Sequence, residues 1–100
     1  MSDIASLQRV ITQLHGCESV HVATVPLVEK LDGEIVWEGN VEVFTVSGHP
    51  KANRCFAWSY TGNDQKKHYT AVLAIPPVIT ARLAVQAAIA AQVRNENKNA

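Results

Sequence analysis

The sequence predicts an α+β domain on three observations. Apolar residues recur at helical spacing near the N-terminus, the middle of the chain holds β-branched runs broken by turn formers, and the C-terminal stretch is rich in alanine. In the first of these, Ile4, Leu7, Ile11 and Leu14 define one helix face, Ser2 or Asp3 can cap the first turn, and Gly16 stands where a helix ends in the left-handed conformation. A helix over residues 3–15 follows. From Val20 to Leu31 the chain favours extended backbone, and Asp32-Gly33 supplies the tight turn that reverses it into a second strand from Glu34 to Val46. In that strand Ile35, Trp37, Val41 and Val43 alternate with Glu34, Glu38, Asn40 and Glu42, one face apolar and one wet. Phe44 and Val46 break the alternation, which predicts a bulge near the strand end.

Gly48-His49-Pro50 turns the chain again. Arg54 to Tyr60 forms a third strand, with Phe56, Trp58 and Tyr60 on one side and Cys55, Ala57 and Ser59 on the other. The polar loop from Thr61 to Lys67 leads into a fourth strand, whose Tyr69, Ala71, Leu73 and Ile75 are expected to join the core face beside Phe56 and Trp58. On that reading Cys55, Ala57 and Ser59 neighbour Thr70, Val72 and Ala74 on a small outer face. Pro76-Pro77 stops the strand, because neither ring can donate to a ladder, and Thr80 caps a helix running from Ala81 to about Arg94. The expected architecture is a single domain, residues 1–94: helix, four-stranded antiparallel meander of two hairpins, helix, in two layers with both helices on one sheet face. A polar tail, 95–100, is expected to fray.

That order resembles the double-stranded-RNA-binding topology in outline only. It has one strand too many, and Ala81-Arg82-Leu83-Ala84 opens the last helix where that family needs lysines for phosphates. Nine basic residues balance nine acidic ones, so the net charge that nonspecific nucleic-acid binding requires is missing. No apolar run is long enough to span a bilayer, and Met1-Ser2-Asp3-Ile4 lacks the basic start of a secretory signal, so a cytoplasmic protein without membrane partners is expected. In that compartment Cys17 and Cys55 stay thiols.

Residues with chemical potential gather between Gly48 and Tyr60. His49, Cys55 and His68 could make a thiol–base pair or a metal site, but their spacing matches no signature, and a small thiol in a strand is more often core. No cofactor or metal is expected. Arg54, with Lys51, offers a cation for an anionic ligand, and Tyr60 at a strand end offers an exposed ring. Trp37, Trp58 and Tyr69 share faces with aliphatic residues and are expected in the core. A ligand, if one exists, is therefore expected to be small and anionic or amphipathic, held by His49, Arg54, Tyr60 and His68.

The last helix stands out. Ten of the thirteen residues from Ala81 to Val93 are apolar and six are alanine, leaving no clean wet face. A second copy of the chain would cover the side the sheet leaves bare, with Leu83, Ala84, Ala87 and Ala91 at the contact. The expected function is a non-enzymatic homo-oligomeric binding or interaction protein, because no motif forms a recognisable catalytic set; a small metabolite-binding protein or enzyme built on His49, Arg54, Cys55 and His68 is the alternative.

The segments Val36-Trp37-Glu38-Gly39, Val41-Glu42-Val43-Phe44, Gly48-His49-Pro50-Lys51-Ala52 and Arg54-Cys55-Phe56-Ala57-Trp58-Ser59 resemble a pattern in short bacterial proteins of about this length, some carried on integron mobile gene cassettes. The resemblance implies a bacterial accessory protein. That family has no assigned activity, cofactor or catalytic residue to carry over.

Overall fold

In a computed structural model, which describes residues 4–61 and 64–98 with side chains as far as Ala91, the elements run α1 (Ile4–His15), β1 (Glu18–Leu31), β2 (Glu34–Ser47), β3 (Arg54–Thr61), β4 (Lys67–Leu73) and α2 (Ala81–Lys98). The expected caps Ser2 and Asp3 lie outside the described residues. The strands form one antiparallel sheet in the order β1-β2-β3-β4, the predicted meander. Asp32 and Gly33 both have positive φ, 53° and 84°, which matches the right-handed twist of the β1–β2 hairpin. α1 ends at Gly16, whose φ is 67° and whose N–H reaches the Thr12 carbonyl at 2.9 Å. Thr80 caps α2 as its sequence position predicts: its hydroxyl accepts from the Leu83 N–H at 3.1 Å. The helix runs through Lys98, past the predicted end at Arg94, and residues 99–100 of the expected tail lie outside the described residues.

The two helices lie on opposite faces of the sheet, which corrects the two-layer expectation. Leu7 and Ile11 of α1 pack on Phe44, Val46, Cys55 and Ala57, with Tyr69, Ala71 and Leu73 at the margin. Ala81, Ala84 and Val85 of α2 pack on Val41, Val43, Phe56 and Trp58, with Val72 and Ala74 beside them. Successive residues of one strand point to opposite faces, so these two sets are separate cores on either side of one sheet. Two sequence readings change with them. β2 keeps its phase through Phe44 and Val46, which belong to the α1 core; the extra residues are Val22 in β1 and Val36 in β2. In β4, the register Ser59↔Tyr69, Ala57↔Ala71 and Cys55↔Leu73 sends Tyr69, Ala71 and Leu73 to the α1 side, not to the side of Phe56 and Trp58. Leu14, expected on the buried helix face, is 62% exposed. The sheet-facing stripe of α1 steps by four from buried Leu7 and Ile11 to half-buried His15, whose ring nitrogen lies 3.1 Å from the Ala71 carbonyl, tying the helix end to β4.

β1 and β2 pair along their whole length, but β2 pairs with β3 only from Glu42↔Ala57 to Thr45↔Arg54. Beyond that point the two hairpins part, leaving a fork in the sheet. The outer hairpin is held by its contact with α2. Glu29 of β1, 8% exposed, accepts from the Arg82 guanidinium on one carboxylate oxygen and from the Gln86 amide on the other, at 3.3 Å. A carboxylate taken out of water needs such partners, so this pair fixes where α2 sits on β1. Arg82→Ala is expected to lower the unfolding free energy in a urea titration by about 1–3 kcal/mol, because Gln86 alone is left to satisfy Glu29. Glu29→Gln, which sheds the buried charge, should cost less. Losses near zero for both would show that the pair does not hold the helix.

Candidate functional site

The fork creates a cleft on the α2 side of the sheet. Where β2 and β3 separate, Trp37 and Trp58 meet across the gap edge to face, with ring centroids 5.8 Å apart and planes at 76°. Gly39 makes room for this contact: a Cβ there would stand 3.3 Å from the Trp37 ring. From the tryptophan pair the cleft continues between α2 and the β3–β4 hairpin, with a volume of about 770 Å³. Tyr60, Thr70 and Val72 line its sheet side, and Ala87, Ala88, Ile89 and Ala91 its helix side. Alanine is the reason the space stays open. Side chains one carbon long cannot fill the gap between a helix and strands that diverge beneath it, whereas Val85, one turn earlier, is fully buried against Phe56 and Trp58.

At the mouth, the Tyr60 ring stacks on His68, centroids 5.4 Å apart and planes 22° from parallel. His68 in turn approaches both carboxylate oxygens of Asp64, at 3.0 and 3.2 Å. The Asp64 carboxyl is held below its ordinary range by the His68 hydrogen bond and by the Lys66 N–H. The chain thus fixes Tyr60 at the rim through its neighbour on β4.

On the α1 side of the same fork lies a smaller polar pocket of about 180 Å³, lined by Leu7, Asn40, Glu42, Trp58 and Ser59. One oxygen of Glu42 lies 2.8 Å from His21 Nε2 and also accepts from the Thr24 hydroxyl, and His21 packs edge-on against Phe44 at 5.3 Å. Sequence reasoning missed this cluster. His21 and Glu42 are brought together only by strand register, displaced by the bulge at Val22.

The residues expected to share a site are dispersed. Tyr60 and His68 are adjacent, but Arg54 lies at the other end of β3, six positions or roughly 20 Å from Tyr60 at the rise of a strand. His49 is used within its own turn: its Nδ1 accepts from the N–H groups of Lys51 and Ala52 at 3.0 and 3.1 Å. Cys55 is sealed in the α1 core, which removes the thiol–base reading. Of the expected interface, Ala84 is fully buried against the sheet, Leu83 is partly exposed, and Ala87 and Ala91 line the cleft. Trp37 and Trp58, expected as plain core, border it as well. Among the described residues no group of three or more His, Cys, Asp or Glu is arranged to hold a metal ion, and no helix is long and apolar enough to cross a membrane. No family model, curated protein or solved structure matches the chain, which leaves the site to carry the functional reading.

Burial, and secondarily the Cys17 thiol beside it, pushes the Cys55 thiol from its ordinary 9.0 up to about 12. A pKa raised by folding contributes stability that is whole below the unfolded value and is lost as pH rises toward the folded one. Stability is therefore expected to decline from about pH 9 upward, with a shallower decline in Cys55→Ala. Both cysteines should react with a thiol reagent at pH 8 only at the rate of unfolding. Rapid labelling of Cys55 in the native protein would contradict its placement.

Proposed function

We propose that this protein is a non-enzymatic binding protein that takes a small molecule into the cleft between α2 and the diverging hairpins. The observation that carries the reading is the cleft itself. Its volume of about 770 Å³ falls within the usual range for small-molecule sites, and its lining is aromatic and aliphatic with a few hydroxyls. Such a lining supports binding through burial and stacking rather than bond-making, and the ionisable pair His68–Asp64 stands behind Tyr60 instead of facing the cavity. The anchor expected from sequence, Arg54, has no part in this site.

A second reading, self-association, is favoured by a different observation. The outer hairpin carries exposed apolar residues around its turn, namely Val28, Leu31, Ile35 and Val36. Isolated two-stranded arms with apolar tips gain by being covered. The edge of β1 resists strand addition at its middle, since Pro26 has no N–H to offer and Val22 is an extra residue. Side-chain packing of the arm is thus the form of contact the reading requires.

Two measurements separate these readings. Ala87→Phe should fill the cleft from the helix side, abolishing any ligand-induced rise in melting temperature while leaving the unliganded protein folded, since Ala87 is exposed to the open cavity. Screening of a chemically diverse library that yields no compound whose effect is lost in Ala87→Phe would remove the cleft reading. For self-association, sedimentation at micromolar concentration is expected to show a dimer that Ile35→Lys dissociates; a strictly monomeric wild type would dispose of it.

A further inference from the structure

Resting on the cleft reading above, we infer that the ligand is a neutral, planar aromatic molecule with a hydrogen-bonding group along one side, the amphipathic rather than the anionic of the two ligand kinds expected from the sequence. Three features of the cleft lead there. The first is charge. The ten described residues that line the cavity are all uncharged, so among them an ionised ligand finds no opposite charge to replace its lost hydration. Arg54, which would have met an anion, is at the far end of β3.

The second feature is shape. The Trp37 and Trp58 rings are nearly perpendicular, 76° apart, and of the two it is Trp37, half-buried where Trp58 is buried, that leaves ring surface open to the cavity. A flat π-system gains from stacking on such a surface, and the alanines opposite admit a flat body without having to move. A flexible alkyl chain would fill the same volume while losing rotamer freedom for no stacking contact.

The third feature is polarity along the sheet side. Thr70 lies directly across from Trp58 in the β3–β4 register, and Tyr60 lines the cavity two positions further along β3. Among the described residues neither the Thr70 nor the Tyr60 hydroxyl is hydrogen-bonded to the protein. Both are available to a ligand donor or acceptor on the side of the cavity away from α2.

The test uses the full chain, whose two tryptophans, Trp37 and Trp58, both border the cavity, so that their indole N–H resonances report occupancy at the site. Three probes are titrated at pH 7: 2-naphthol, 2-naphthoate, and decanol. 2-Naphthol is expected to shift both indole signals saturably. 2-Naphthoate, the same ring system carrying a charge, should bind about tenfold more weakly or worse, and decanol should be weaker than naphthol. Thr70→Val should weaken naphthol several-fold, by the loss of one neutral hydrogen bond, without changing the thermal stability of the empty protein. Tighter binding of naphthoate would overturn the neutral ligand, and tighter binding of decanol would overturn the planar one, in both cases with the cleft reading left standing. Saturable shifts from none of the three, in a protein whose Trp37 and Trp58 signals are resolved, would overturn this inference, while the library screen against Ala87→Phe decides the cleft reading independently.

Discussion

β3 is buried along four consecutive residues, Cys55, Phe56, Ala57 and Trp58, and the rest of the molecule is arranged around that fact. A strand whose successive side chains are all buried must be covered on both faces, and here α1 covers one and α2 the other. The sizes on each side differ. Toward α1 the strand presents a thiol and a methyl, so Leu7 and Ile11 can approach closely; toward α2 it presents two large aromatic rings, and the helix answers with Ala81, Ala84 and Val85. Small against large on both faces keeps each core filled without strain.

The cleft follows from how far that complementarity extends. Near the N-terminus of α2 the helix is seated, with Thr80 capping it and the Arg82–Glu29–Gln86 group fixing it to β1. Further along, the sheet beneath it divides, because β2 stays with β1 while β3 stays with β4. Alanine at 87, 88 and 91 then leaves the divided sheet uncovered where a leucine would have filled it. Trp37 and Trp58 bridge the gap at its closed end and keep the two hairpins in contact across the missing ladder. Open volume beside two aromatic rings costs packing energy.

The polar groups near the fork are ordered by the same division. On the α1 side, Glu42 is shared by His21 and Thr24; on the α2 side, Asp64 holds His68 against Tyr60. Both arrangements place a charged or titratable group next to the opening without pointing it into the larger cavity. His49, by contrast, spends its ring nitrogen on two backbone N–H groups and serves the turn that sets up β3.

What the sequence by itself determined is local. Asp32-Gly33 supplies positive φ at the hairpin turn, Gly16 ends α1, Thr80 begins α2, and extended runs bounded by turn formers mark four strands, because each signal depends only on residues a few positions apart. Of the site, the exposed ring of Tyr60 and its proximity to His68 were legible, since both follow from a strand end and a short loop. Which face each strand turned to which helix was not. When both faces of a sheet are buried, alternation between apolar and polar residues disappears, so Phe44 and Val46 read as a broken phase and Tyr69 as a partner of Trp58. The single-residue bulge at Val22 and the parting of β2 from β3 leave no mark in composition, yet they bring His21 to Glu42 and open the cleft between Trp37, Trp58 and α2. Register and helix placement are settled by contacts between residues far apart in the chain, and those only the tertiary structure decided.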